Sequence, residues 1–486
     1  MLSETILLEQ VTMMANKLWG GRFDKAADEE MYSFLSEENV ALDEALVKYD
    51  IEGSAAHVCM LAKQGIIAKK EAGEMLSALA AVQKKSDEGK FSLDPMLEDV
   101  HTNVEAAVTA ITANGKKMHT ARSRNDQVSL DTRMYMRTAI NDVSSALLEL
   151  QQALLELSKK DCIFPAYTHT QVAQPVSLAF WCHAHYCEIE RDLERLSQLY
   201  ARVNACPLGS GAVAGTTWNI DREYTSKLLG FSAPTANPMD SVGSRGELEA
   251  EMLSHLYLAM AHASKIATDV ILLANKRLII LPDEYSTGSS MMPQKKNPDP
   301  FELVRGKASR MLGLYVHAAG LLKSVPSGYN LDSQESKYAL MQGVKTAQQT
   351  FSILAHALPH LAFDKGKIAL ELEDGYACAT ELADLLAKKG VPFRAAHSVA
   401  GGMVKECISK KKFLSSLSAS EVSAAAGVKI ADAELKEAVS VDKVARFAAA
   451  YKMPAASAHA KALEARKKAL DAAHALLEKE IKSLLK

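Results

Sequence analysis

From Tyr285 to Asp299 the chain reads Tyr-Ser-Thr-Gly-Ser-Ser-Met-Met-Pro-Gln-Lys-Lys-Asn-Pro-Asp. Gly288 offers a hinge, Ser289 and Ser290 adjacent hydroxyls, Gln294 and Asn297 amides, and Lys295 and Lys296 ammonium groups, while Pro293, Pro298 and Pro300 restrict the backbone. Such a loop can fold over an anion and present N–H groups, hydroxyls and a lysine together. Gly-Ser-Ser alone is more often a solvated linker. The full string resists that reading, because a linker has no use for Met-Met-Pro or for an amide at each end of a lysine pair.

Three further segments carry chemistry. His119-Thr-Ala-Arg-Ser-Arg-Asn-Asp-Gln-Val128 sets Ser123, Arg124 and Asn125 where a loop feeds a helical pattern. Guanidinium forks, hydroxyls and amides suit carboxylate recognition. The same residues also suit a helix start, with Ser123 or Asn125 capping and the arginines solvated. Pro165-Ala-Tyr-Thr-His-Thr-Gln171 places Thr168 and His169 in a constrained connection between two long helices. His169 there suits a general acid or base, although a lone His is more often structural. Ser327-Gly-Tyr-Asn-Leu-Asp-Ser-Gln-Glu-Ser-Lys337 offers Tyr329, Gln334 and Lys337 either to grip a polar substrate or to coat a surface.

Two motifs are decoys. The glycines of Leu208-Gly-Ser-Gly-Ala-Val-Ala-Gly215 imitate a dinucleotide loop, but they follow a helical pattern and have the wrong spacing. Cys182-His-Ala-His-Tyr-Cys187 offers soft ligands on one helix, from which four tetrahedral ligands do not converge.

The elements that must position these groups are long helices. No glycine or proline occurs between Gly115 and Pro165, between Pro175 and Pro207, or between Gly246 and Pro282. A helix of about thirty residues runs roughly 45–50 Å. Val143, Leu147, Leu150, Leu154 and Leu157 step by fours and threes, as do Ile189, Leu193, Leu196, Tyr200 and Val203. That spacing is the seam of packed, gently supercoiled helices. The chain therefore reads as all-α, in three parts: 1–119, a central long-helix bundle over 120–373, and 374–486. Its central rods are too long for one chain to shield, so self-association is expected.

A chain of 486 residues with 56 basic against 59 acidic side chains has no bulk charge to drive nucleic-acid or membrane-surface binding. No unbroken run of apolar residues is long enough to span a bilayer. Glu4 and Glu9 and the lack of a basic start argue against a secretory signal, and Met13 or Met14 is a candidate start. Seven cysteines without Cys-x-x-Cys spacing fit free thiols in a reducing compartment, and a cytoplasmic location is expected.

Leu18-Trp-Gly-Gly-Arg-Phe23, Glu98-Asp-Val-His101 with Glu105, Ser123-Arg-Asn-Asp-Gln127, Tyr167-Thr-His169, Pro207-Leu-Gly-Ser-Gly-Ala212 and Gly288–Asp299 occur in that order. Together they resemble the argininosuccinate lyases of the fumarase/aspartase superfamily. Gly-Ser-Ser-x-Met-Pro is superfamily-wide, whereas Gln294-Lys-Lys-Asn297 and Ser-Arg-Asn-Asp-Gln point to that family. The resemblance implies Ser289 as the base, His169 as the acid and Glu302 as the carboxylate orienting it. It implies Lys295 and Asn297 as substrate and carbanion-stabilising groups. Ser123, Arg124, Asn125, Thr168, Tyr329, Gln334 and Lys337 become substrate contacts. It further implies a three-domain, all-α homotetramer around a twenty-helix bundle, with each active site shared by three subunits. The substrate would be argininosuccinate, and no metal or organic cofactor is expected, since the developing charge spreads over substrate atoms. Another fumarate-releasing lyase of the superfamily and an inactive structural homologue are the competing readings.

The chain departs from the family pattern in places. The segment Phe34-Leu-Ser-Glu-Glu-Asn39 leaves the usual substrate-contacting Ser unassigned, Gly246 follows Ser244-Arg245 where an acid is common, and Leu331 replaces a basic residue. After about Met453 the usual Gly-Gly element is missing and a Lys/Ala-rich helical run follows.

Overall fold

Helices occupy the breaker-free stretches. The computed structural model describes residues 28–323, 325–448 and 457–486. The Leu18–Phe23 motif and the candidate starts Met13 and Met14 lie outside the described residues. Four helices come first: α1 (Glu29–Asp43), α2 (Val47–Lys63), α3 (Lys69–Asp87) and α4 (Val100–Ile111). Five long ones follow: α5 (Arg124–Ser158), α6 (Leu178–Val203), α7 (Glu247–Asn275), α8 (Asp299–Leu321) and α9 (Ser336–Ala357).

Each long helix starts on a local signal. Ser123 caps α5, its hydroxyl accepting the Asn125 N–H at 3.3 Å while the Asp126 carboxylate accepts the Ser123 N–H at 3.0 Å. Ser177 caps α6 through the Phe180 N–H, and Pro300 opens α8 at a position where its missing N–H costs nothing. A cap contributes about 1 kcal/mol. Burial contributes more: the 143–157 and 189–203 seams are both buried, at roughly 1.5–3 kcal/mol for each large side chain. Tertiary packing therefore decides these helices, and the caps set where they begin.

The largest core joins α5 to α9 and runs from Met136 to Ala377. α7 is apolar enough over part of its 29 residues to cross a membrane by composition. It instead gives Met252, Leu256, Met260, Val270 and their neighbours to this core. Gly343 lets α9 close on α7, since a Cβ there would stand 2.4 Å from Leu253 Cδ2. A second core takes Leu46–Met134 with Cys206–Phe231. A third holds Leu382–Val439, built from short helices.

The Lys/Ala-rich tail forms α10 (Ala458–Leu484), which leaves the third core. Leu477 joins the second core, and Glu480 accepts the Tyr224 hydroxyl at 2.9 Å. The stretch expected as one unit over 374–486 thus contributes to all three cores, since Ala377 belongs to the first.

Four short strand pairs among the described residues depart from the helical plan, and one is longer than the rest. β1 (Ile163–Thr168) and β2 (Gln171–Ser177) form an antiparallel hairpin at the C-terminal end of α5. Its base packs on the chain that follows α9, with the Phe164 and Phe363 rings 6.2 Å apart. Ile279 and Ile280, just after α7, pair with that same segment at Phe363 and Ala362.

These placements put the two ends of the bundle in different roles. Arg124 opens α5, whose 35 residues span roughly 52 Å, and the hairpin lies beyond the far end. α7 likewise starts beside Arg245 and ends before the 281–299 loop. α8 then runs back, so that a Cβ on Gly246 would stand 3.3 Å from Leu322 Cδ2.

Candidate active site

At the α5 N-terminal end, a cavity of about 320 Å³ is lined by Arg124, Asn125, Arg245, Tyr329, Gln334 and Lys337, with the acids Asp43, Glu98 and Asp99. Arg124 reaches it from the first turn of α5. Its guanidinium donates to Glu98 Oε2 at 3.0 Å and to Thr102 Oγ1 at 2.6 Å, and lies 3.3 Å from Asp99 Oδ2. Lys337, at the start of α9, donates to Asp43 Oδ1 at 2.5 Å, both side chains being buried. Burial pulls the Lys337 ammonium below its ordinary pKa, against the opposing charge of Asp43. Asn125 donates to the Ala212 carbonyl at 2.9 Å, and Gln334 to the Leu35 carbonyl at 3.0 Å. Ser36 and Asn39 also line the cavity, so the altered 34–39 segment keeps a hydroxyl and an amide there. Leu331 lines it too.

Ser123 sits at the cap, as the helix-start reading had it, rather than among the cavity-lining residues. Its partner Asp126 also accepts the Gly209 and Gly211 N–H groups, at 3.1 and 2.8 Å. The glycine loop that imitates a dinucleotide motif therefore turns its amides onto a protein carboxylate. Asp126→Ala strips three N–H donors of their acceptor at once. Melting should report a loss of about 3 kcal/mol or more, given 1.5–3 kcal/mol for each hydrogen bond to a charged group.

Beneath the cavity lies a buried network that sequence reading did not find. His101 Nδ1 is 2.8 Å from Asp50 Oδ1 and 3.5 Å from Asp131 Oδ2, and Gln127 donates to Asp50 at 2.5 Å. Burial would raise both carboxyl groups. Bonds from His101 and Gln127, with the Arg122 charge, hold Asp50 below its usual range. Asp131, buried beside the charged Asp50, is pushed well above it. The ligand atoms of Asp50, His101 and Asp131 all lie within 4.8 Å of one another, a spacing that suits a metal ion. Here the Arg122 guanidinium, its own pKa lowered by burial, supplies positive charge beside them. The one sequence signal was the Glu98–His101 motif. Asp50 and Asp131 join it from distant helices.

The second group of candidates sits at the other end of the bundle. Thr287 and Gly288 pair with Asn297 and Lys296 in a short antiparallel ladder, closed by a hydrogen bond from the Thr287 hydroxyl to Asp299. Lys296 anchors the loop to Asp283 at 2.5 Å. Between these strands Ser289 is half-buried, and its Oγ accepts the Met291 and Met292 N–H groups at 3.2 and 3.0 Å. Two amide dipoles aimed at one hydroxyl oxygen favour its negative form. Asn297 donates to the Gly288 carbonyl at 3.3 Å, and Lys295 is exposed. Glu302 is exposed in the first turn of α8.

His169 and Thr170 form the tip of the β1–β2 hairpin, with φ of 53° and 61°. Two successive left-handed residues make the tight turn that matches strand twist, a conformation usually left to Asn-Gly. Holding it with a His and a Thr stores strain of the kind that gathers at functional positions. Thr168 pairs with Gln171 beside them, and Thr168, His169 and Thr170 are all exposed.

A single chain therefore separates its candidates. Arg124, Asn125, Tyr329, Gln334 and Lys337 share one cavity, whereas Ser289, Lys295, Asn297, Glu302, Thr168 and His169 stand at the opposite end. The second decoy carries no site either. Burial pushes the Cys182 thiol up to about 12, and Cys187 contacts His183 one turn away at 3.5 Å.

The long helices thus carry a polar cavity at one end and a Ser-bearing loop at the other, an arrangement that similarity to known proteins places among the lyases. The family model for lyases matches residues 21–313, and the argininosuccinate lyase C-terminal model matches residues 376–446. The argininosuccinate lyase of Desulforamulus reducens is 43% identical over 410 residues, covering 83% of this chain and 88% of that protein. That of Lachnospira eligens is 41% identical over 430 residues, covering 87% and 93%. Among solved structures, EDDS lyase in complex with formate superposes with a TM-score of 0.77 at 25% identity, covering 95% of this chain and 97% of that one. A class II fumarase from Schistosoma mansoni gives 0.70 at 14%, covering 90% and 95%, a likeness of fold. The chain belongs to the argininosuccinate lyase family.

Proposed function

We propose that this chain is a carbon–nitrogen lyase that splits argininosuccinate into arginine and fumarate, the last step of arginine biosynthesis, in the cytoplasm. The observation that carries the reading is the Ser289 hydroxyl, held by two backbone N–H groups in the loop that bears Lys295 and Asn297. An unassisted Ser is too weak a base, and those dipoles supply the assistance. Ser289 removes a proton from the carbon next to a succinyl carboxylate. The electron pair moves onto that carboxylate, where Lys295 and Asn297 meet the added charge, each such donor lowering the barrier by about 2.7–4 kcal/mol. The pair then returns to form the carbon–carbon double bond of fumarate as the carbon–nitrogen bond breaks, and that bond's electrons leave with the guanidino nitrogen, which takes a proton from His169. Glu302 orients His169. Ser123, Arg124, Asn125, Thr168, Tyr329, Gln334 and Lys337 bind the substrate.

Distance within one chain makes neighbouring copies necessary to this reading. Cavity and loop are a helix length apart, so each working site takes its parts from different subunits of a homotetramer. Helix α8 supports such an assembly. Phe301, Val304, Ala308, Met311, Leu314 and Ala318 are buried within the chain. On another face Gly306, Ser309, Gly313, Val316 and Gly320 are exposed at steps of three and four, a second seam of mostly small residues that lets another helix approach closely.

Incubation with argininosuccinate should raise fumarate absorbance, and full activity should survive exhaustive chelation. Fumarate from adenylosuccinate, aspartate or malate instead would assign another lyase, and no release from any of them would leave a structural homologue.

A further inference from the structure

Three cations line the cavity, and they differ in how their charge is met. Arg124 is paired with Glu98 and Asp99, and Lys337 with Asp43. Arg245 takes part in no ion pair among the described residues. It is 6% exposed, and among the described residues its Nε has no hydrogen-bond partner and its one side-chain hydrogen bond is a long one, from Nη2 to the Ser333 carbonyl at 3.4 Å. The guanidinium carbon lies 5.7 Å from the centre of the Tyr329 ring, which holds the side chain against the cavity wall. Both Arg245 and Lys337 face this cavity, and the Lys337 ammonium is depressed first by burial and further by the Arg245 charge.

None of the acids near it in sequence pairs with it among the described residues. Gly246 follows Arg245 at φ of 86°; Glu247 is exposed and forms no ion pair with Arg245 among the described residues, and Glu249 is spent on the Gly246 N–H at 2.8 Å and the Ser336 hydroxyl at 3.2 Å. A guanidinium taken out of water is kept there when an anion completes it. Its planar fork matches a carboxylate in two hydrogen bonds.

We propose that Arg245 binds a carboxylate of the substrate, as the cavity's one cation left for an external anion among the described residues. The inference rests on the lyase reading given above. Argininosuccinate offers carboxylates on both its halves. Fumarate and arginine, the separated halves, distinguish which one Arg245 takes.

The test uses the full-length, assembled enzyme with Arg245→Gln and Arg245→Lys. For Arg245→Gln, KM for argininosuccinate should rise roughly ten- to a hundredfold, the value of one charged hydrogen-bonded pair. Arg245→Lys, which keeps the charge but loses the fork, should fall between. Calorimetric titration of each protein with fumarate and with arginine should show one of the two weakened by a similar factor and the other unchanged. Added guanidinium should partly restore an Arg245→Ala variant, which a merely structural role would not allow. Unchanged KM and product affinities with a lowered melting temperature would overturn the proposal. The titrations need no turnover, so a protein inactive on argininosuccinate but binding either product more weakly as Arg245→Gln would sink the lyase reading and retain the anion site.

Discussion

Ser289→Ala should leave the enzyme folded, assembled and able to bind argininosuccinate, with kcat lowered by roughly 10²- to 10⁴-fold or more. The loop does not depend on this hydroxyl for its shape. The Thr287–Asn297 ladder, the bond from Thr287 to Asp299 and the Lys296–Asp283 pair all remain. What disappears is the oxygen on which the Met291 and Met292 N–H groups converge. Those amides sit in an exposed segment, where water replaces the lost acceptor at small cost. The defect should therefore appear in kcat, with substrate affinity by calorimetry and the circular dichroism spectrum near those of the wild type. A variant that keeps most of its turnover would remove Ser289 from the mechanism and pass the role of base to another group.

The long helices were legible in the sequence because two independent signals agreed there. Breakers were absent, and the apolar residues stepped by threes and fours. The tract free of breakers after Gly115 begins its helix at Arg124, since Ser123 and Asp126 form a cap that fixes the boundary. The hairpin was not legible. Pro165 and Pro175 read as stops between helices, yet they face each other in the strand register. With no N–H to give, they leave two ladder positions unbonded, and register shifts beside them between Ala166 and Tyr167.

The candidate residues were legible by type, while their grouping was not. The resemblance supplied a set of residues for one reaction. The chain places half of them around the α5 N-terminus and half beyond its far end, and no local pattern reports that distance. Arg245 and the Asp50–His101–Asp131 network escaped for a related reason. Arg245 counts through its missing counter-ion, and the network gathers partners from α2, α4 and α5. Both facts are properties of packing. The last helix is a further case: its Lys/Ala composition announced a helix, but only Leu477 and Glu480 reveal that it returns to the second core.

Mixing two inactive variants should create activity. Ser289→Ala spoils the loop, and Asn125→Leu spoils the cavity. The latter is a contained change, because the Asn125 amide makes one described side-chain bond, to Ala212. If one chain supplied both parts of its own site, every site in a hybrid would keep a defect, and mixing would do nothing. If sites draw on different subunits, some sites in a hybrid receive the intact cavity of one variant and the intact loop of the other. Unfolding the two together and letting them reassemble should then raise fumarate release about tenfold or more above either parent, since a closed oligomer brings unlike copies into the same sites. Two controls separate this from simple recovery of folding. Each parent carried alone through the same cycle should stay inactive, and so should a chain bearing both substitutions mixed with either parent, because no intact partner for the missing part is then available. Failure of the mixture to exceed its parents, with hybrids verified by a mass tag, would mean that loop and cavity act from one chain, which a separation of some 40–50 Å along α5 and α7 forbids in this structure.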